Sequence, residues 1–352
     1  MLRGVIGFGA QAQSDSGSSI SLPVTPTEGP PPSTSTVPDT LPPPSAPVLA
    51  PTIPAPTVPG STAVTTTTLA PVPIVSLEQS LVPVCRTAAG RPTTLPVGPS
   101  LGCRIVAYYG NPLSTGMGIL GRLPQAAMLA DLAARAAKWQ KADPARMHTC
   151  ALELVAITVQ ASPGPSGLYR ARMAAGLIDK VLGWARGAGC IMILDMQVGW
   201  SSVAAELPYL EPWLAQPDVH LGLDPEWDMP PGVKPGTRIG AMDATDVNFA
   251  VEHLTKLVDD GKLPPKLLVV HRFRNFMVTN PAAIKTPPEI RLLVNMDGFG
   301  SPARKLDSYG VALRDMPTSL TGFKLFTLID KPMLEPPDVL KLNPVPVFIN
   351  YQ

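Results

Sequence analysis

From residue 104 to residue 352, short apolar runs alternate with longer stretches whose apolar residues recur every three or four positions, and few architectures satisfy that alternation. The runs lie at 104–109, 151–159, 191–197, 220–226, 266–273, 291–297, 323–329 and 347–351. Strand-length runs separated by helix-length spacers build parallel sheets, because parallel neighbours need a crossover between them. Helical spacing is clear at 125–140, 169–187, 203–214, 244–260 and 301–313. Pro124, Asp243 and the pair Ser301 and Pro302 stand where N-caps and first turns belong. Asp243, Asp246 and Asn248 read as one helix start, with acids at the positive end of the dipole. Eight runs, with a connection after each of the first seven, predict an α/β fold of the (β/α)8 TIM-barrel type over residues 101–352.

An open doubly wound sheet is the runner-up, and it would want a phosphate-binding turn directly after its first strand. Gly116, Gly118 and Gly121 do spell G-x-G-x-x-G, but Gly116 lies seven residues beyond Tyr109. The triplet therefore reads as a flexible first loop of the barrel.

The first hundred residues differ in kind. They hold 20 of the 44 prolines, only seven charged residues and a single aromatic, Phe8. So few large apolar groups cannot offset the entropy of ordering the backbone, which predicts a disordered Pro/Thr/Ser-rich linker over 21–100. The linker is a semi-rigid stalk or a plain tail. Residues 1–20 resemble a worn signal peptide: Arg3, a short apolar run over 5–10, then Ala10-Gln11-Ala12. That reading places the protein outside the cell or on its surface.

Cys85, Cys103, Cys150 and Cys190 show no C-x-x-C spacing. Cys150 and Cys190 precede consecutive strands, so a Cys150–Cys190 bridge is expected, with Cys85–Cys103 tying the tail to the first strand. Four buried thiols are the alternative. Net charge is +1 without a basic block, which argues against a nucleic-acid partner. No run of eighteen apolar residues occurs, so no membrane span is expected. A monomer is expected.

In a barrel the chemistry gathers at the C-terminal ends of strands, and alternate side chains face inward. Leu221 and Leu223 should meet helices, which turns His220, Gly222, Asp224 and Glu226 inward, with the two carboxylates about 7 Å apart along the strand. Ile191 and Ile193 lead in the same way to Asp195 and Gln197, and Leu293 leads to Asn295 and Asp297. His271 closes the fifth strand, Lys324 and Asp330 bracket the seventh, and Asn350 and Gln352 end the eighth. Trp227, Phe299, Tyr108 and Tyr109 stand nearby. Acids crowded into a partly dry pocket repel one another, so at least one should have a raised pKa suited to acid catalysis. Aromatic faces beside hydrogen-bonding groups suit sugar rings. The bland alternative is a set of polar strand ends facing water. Glu153 faces inward or outward according to a register the sequence leaves open. The four histidines lack H-x-H or H-x-x-x-H spacing, so no metal or other cofactor is expected. No G-x-S-x-G elbow occurs either.

At Leu223-Asp224-Pro225-Glu226-Trp227 the sequence resembles the fourth-strand D-x-E of barrel glycoside hydrolases of the chitinase (family 18) and lysozyme (family 25) types. The resemblance implies that Glu226 is the general acid and that Asp224 orients the substrate's acetamido group. Asn295-Met296-Asp297 is similar to the sixth-strand aspartate of the same enzymes. The likeness has gaps: Val219 and Gly222 stand where the longer chitinase motif carries acids, and no glutamate ends the seventh strand. The Pro/Thr-rich tail with its barrel also looks like secreted actinobacterial barrel proteins.

These readings converge on a secreted hydrolase cleaving a cell-wall or environmental polysaccharide or oligosaccharide. Glu226 and Asp224 are its catalytic candidates. Asp195, Gln197, Asp297, Asn295, His271, Trp227, Tyr109 and Phe299 are its substrate-binding candidates. A barrel that binds glycan without cutting it, or a hydrolase of another bond whose acids hold a metal, are the alternatives.

Overall fold

The computed structural model describes residues 103–318 and 320–352. The expected signal peptide and linker, and Cys85 of the second bridge, lie outside the described residues. Eight strands run in parallel: β1 Cys103–Gly110, β2 Met147–Val159, β3 Ile191–Met196, β4 Val219–Leu223, β5 Lys266–Arg272, β6 Ile290–Met296, β7 Thr321–Leu325 and β8 Phe348–Tyr351. Each pairs with its sequence neighbours, and β1 pairs with both β2 and β8, so the sheet closes on itself. This is the expected (β/α)8 barrel rather than an open sheet.

Five long helices cover it: α1 Gln125–Ala142, α2 Ala175–Gly187, α3 Val203–Leu214, α4 Ala244–Gly261 and α5 Pro302–Leu313. In α4 the buried Val247, Ala250, Val251, Leu254 and Val258 repeat at helical spacing, and the Asp243 side chain caps the first turn by accepting from the Thr245 amide. Between β5 and β6 two short 3-10 turns flank the two-residue strand Val278–Thr279, which pairs with Met242–Asp243, and between β7 and β8 lies only the four-residue helix Pro336–Val339. The spacer at 169–187 is helical only from Ala175. Before it, Arg170–Arg172 pairs antiparallel with the end of β2, held by the buried Glu206, which bonds to both arginines at 2.7 Å.

Parity sorts the core into two compartments. Ile105, Ala107, Ala151, Ile191, Ile193, Leu267, Val269 and Leu293 fill the barrel interior, whereas Met192, Leu194, Leu221, Leu223, Val270 and Val294 pack against the helices. Alternation thus delivers one residue in two to the interior of each strand. At the N-terminal end, the pairing of Ala151 with Ile191 sets the preceding cysteines side by side, and Cys150 and Cys190 form the expected disulfide across a Cα–Cα distance of 4.7 Å.

Two strands end earlier than their apolar runs. β4 stops at Leu223, and Pro225–Trp227 is a 3-10 turn, because Pro225 has no amide hydrogen with which to extend the ladder. β7 stops at Leu325, where the Asp330 carboxylate accepts the amide of Phe326 and curls the loop back. Gly118 is packed rather than free: a Cβ there would stand 2.2 Å from the Tyr109 carbonyl oxygen. Gly121 is packed likewise, a Cβ there standing 2.1 Å from the Asn111 carbonyl oxygen, whereas a Cβ at Gly116 would meet nothing within 4 Å.

Candidate functional site

At the C-terminal end of the strands the interior opens into a cleft of about 110 Å³. One wall is polar, with Gln197 beyond β3 and Asp224 and Glu226 beyond β4. The facing wall is apolar, with Met117, Phe299, Phe326 and Ile329 from the loops after β1, β6 and β7. Tyr109, Asp297, Lys324, Trp227, Phe273 and Gln352 also line it. Seven of the ten candidate residues therefore meet in one cavity: Glu226, Asp224, Gln197, Asp297, Trp227, Tyr109 and Phe299.

The other three, Asp195, His271 and Asn295, do not line the cleft. All three are fully buried in the layer beneath it. There His271 is the hub: Nε2 lies 3.0 Å from Glu153 Oε1 and 3.5 Å from Asp195 Oδ1, while Nδ1 lies 3.1 Å from Asp297 Oδ2. Asn350 donates to the other Glu153 oxygen. Asn295 Nδ2 stands 3.3 Å from His271 Nδ1. The register left open in sequence thus resolves inward for Glu153, which pairs across the ladder with Ile193 and is wholly enclosed.

Tyr109 seals the two layers from each other. Its hydroxyl donates to Asp195 Oδ2 at 2.9 Å and accepts from Gln197 Nε2 at 3.2 Å. The same Gln197 amide reaches Asp224 Oδ2 at 3.2 Å, and its carbonyl accepts the Val159 amide at 3.2 Å. Tyr108, one residue earlier, points the other way into the helix layer, where it donates to Asp131. Lys324 was legible only as a strand-end polar group. It proves to be the cation of the cleft, 3.0 Å from both oxygens of Asp297 and over the face of Tyr109, 3.5 Å from the ring centre.

Charge decides which of these groups can do chemistry. Burial alone would raise Asp297, but Lys324 and His271 outweigh it and hold that carboxylate below its usual range. Burial would likewise discharge His271 and Lys324, yet the surrounding carboxylates keep both protonated. Asp224 has a weaker counterweight: burial, opposed by His271 and reinforced by Asp297, lifts it to about 6. Asp195 rises to about 7, again through burial first. Glu226 goes furthest, pushed well above the usual carboxylate range by enclosure of its carboxyl group and then by Asp224 and Asp297. The residue as a whole is half-buried. No hydrogen bond or ion pair anchors its carboxyl among the described residues. Two neighbouring carboxyls with separated proton affinities are the arrangement acid and base catalysis needs.

Among the described residues one set of side chains could hold a metal ion: Glu153, Asp195 and His271, whose ligand atoms all lie within 4.8 Å of one another. Comparison with protein-family models, with curated proteins and with solved structures gives no match to this chain.

Proposed function

We propose that the barrel hydrolyses a glycosidic bond, with Glu226 as the general acid and Asp224 as its partner. The observation that carries this reading is the unanchored, proton-retaining carboxyl of Glu226 on the cleft wall beside Asp224. At neutral pH Glu226 gives its proton to the departing glycosidic oxygen, and an acid so poised contributes roughly 10²–10⁴ in rate. Asp224 presents a second cue. Its Oδ1 is buried and accepts no hydrogen bond, so a donor on the substrate completes it. An acetamido N–H is such a donor, in keeping with the family resemblance, and its carbonyl oxygen then attacks the anomeric carbon from within the substrate.

Phe299, Phe326 and Trp227 offer apolar faces to the sugar ring. The volume falls below the roughly 300–1,000 Å³ of sites that enclose a drug-sized ligand, so the cleft suits one terminal sugar better than a run of them. The Cys150–Cys190 bridge supports action outside the cell. No helix among the described residues is long and apolar enough to cross a membrane. The partner is accordingly a polysaccharide or oligosaccharide met outside the cell or at its surface, and one chain supplies every group named.

The test is a screen of wild type and Glu226→Gln against soluble oligosaccharides and wall polysaccharides, reading reducing-end release beside glycan affinity. Cleavage by wild type, with binding but no cleavage by Glu226→Gln, is the expected result. Equal cleavage by both proteins removes Glu226 from the chemistry. Binding by both without cleavage by either leaves a glycan-binding barrel instead.

A further inference from the structure

We propose that Glu153, Asp195 and His271 form a binding site for a divalent first-row transition cation, Zn²⁺ or Mn²⁺, in the sealed layer below the cleft. The three side chains come from β2, β3 and β5, and none lines the cleft, so the site stands apart from the acid/base reading of Glu226. Their converging atoms are spaced as ligands are: 3.0 Å from His271 Nε2 to Glu153 Oε1 and 3.5 Å to Asp195 Oδ1. An ion held tetrahedrally at about 2.0–2.2 Å sets its ligands roughly 3.4 Å apart.

The opposite atom of each side chain is already held, which is what fixes a ligand's orientation in metal sites. His271 Nδ1 lies 3.1 Å from Asp297 Oδ2, Glu153 Oε2 accepts from Asn350, and Asp195 Oδ2 accepts from Tyr109 at 2.9 Å. A second, independent observation is an acceptor left open beside the converging atoms. Asp195 is fully buried, and its Oδ1 accepts no hydrogen bond. Such an acceptor is costly unless something satisfies it.

The neighbouring strand keeps the space clear. A Cβ at Gly222 would stand 2.8 Å from Asp195 Oδ1 and 3.2 Å from Glu153 Oε1, so a larger residue there would push into the converging oxygens. One imidazole and two carboxylates suit Zn²⁺ or Mn²⁺; the absence of thiolate among the three disfavours softer ions, and Ca²⁺ wants six to eight oxygens. On binding, the cation replaces the proton on His271 Nε2, which leaves to solvent.

The experiment uses the full chain, stripped with a chelator and dialysed. It is titrated separately with Zn²⁺ and Mn²⁺ in a calorimeter, with bound metal counted by elemental analysis and melting followed in parallel. About one ion per chain and a higher melting temperature are expected with one of the two ions. Asp195→Asn, which keeps the Tyr109 contact, should retain its circular dichroism and lose at least tenfold in affinity. Gly222→Ala provides a second variant should Asp195→Asn fail to fold, with the same loss expected. Glu226→Gln should bind the ion as wild type does, whatever becomes of its hydrolytic activity. No uptake of either ion by wild type, or uptake unchanged in Asp195→Asn or in a folded Gly222→Ala, overturns the site.

Discussion

The two ends of this barrel bury ionisable groups for opposite purposes. At the N-terminal end sit bases, and each is tied to framework. Lys266 donates to the carbonyls of Gln216 and Val219, and Arg104 donates to the Pro346 carbonyl at 3.2 Å and to Asp143 at 2.9 Å. His220 accepts the Leu267 amide at 3.1 Å, and burial drives its pKa down to about 3. At the C-terminal end sit acids, and there the ties run out toward the cleft. Asp297 is fully engaged, Asp224 is half engaged, and the Glu226 carboxyl is engaged by nothing among the described residues. Each of these N-terminal bases keeps at least one partner, although Arg104 Nη2 and His220 Nε2 make no hydrogen bond, whereas the Glu226 carboxyl at the mouth has none among the described residues. Substitutions at the two ends should therefore fail in different assays.

The largest effect is expected at the mouth. Glu226→Gln should cut turnover by about 10²–10⁴-fold, while its melting temperature does not fall and rises if anything, since no described contact of the carboxyl is lost and the cost of burying an acid that must stay protonated is removed. A large fall in melting temperature would place Glu226 with the framework groups and erase the contrast. Next comes the disulfide at the opposite end. Cys150 and Cys190 close a loop with a sequence separation of 40, and replacing both with alanine should cost about 2–4 kcal/mol by denaturant unfolding. Turnover per folded molecule should be unaffected; if it falls in proportion to stability, the two ends are not independent.

A smaller loss, about 1–3 kcal/mol, is expected for Lys266→Met, which leaves two carbonyls unpaired. Its pH dependence is the sharper reading. Burial lowers the Lys266 pKa from 10.5 to about 7. Between those values the unfolded chain binds more protons than the folded one, so wild-type stability should rise with pH across that window. Denaturant midpoints at pH 7 and pH 9 should differ for wild type, and by less for Lys266→Met. Equal slopes in the two proteins would show that Lys266 is not the group responsible.

Much of this contrast is legible in the sequence where strands alternate cleanly. Leu221 and Leu223 against Gly222 and Asp224, or Leu293 against Asn295 and Asp297, reveal which face is inward because apolar residues mark the helix side or lead to the acids. The stretch Ala151–Val159 offers no such mark. It is apolar on both faces, and its pairing with β3 shifts between Val155 and Ile157, so the inward turn of Glu153 is fixed by the ladder and not by the local pattern. Distance along the chain hid the rest. Glu153, Asp195 and His271 come from three strands, with no short spacing to betray them, and Lys324 lies in a run ordinary for a buried strand until Asp297 and Tyr109 are seen around it. Depth was hidden too: alternation tells which residues point inward but not that Asp195, His271 and Asn295 stop below the cleft floor.

The central claim is that Glu226 keeps its proton when its neighbours have lost theirs, and the carboxyl resonance of Glu226, assigned by its absence in Glu226→Gln, reports this without any substrate. A ¹³C titration should show Glu226 deprotonating last of the cleft carboxyls, well above the ordinary glutamate value of about 4.3, with the midpoint moving down in Asp224→Asn as the neighbouring negative charge is removed. Titration of Glu226 in the ordinary range, or a midpoint indifferent to Asp224→Asn, would contradict the account.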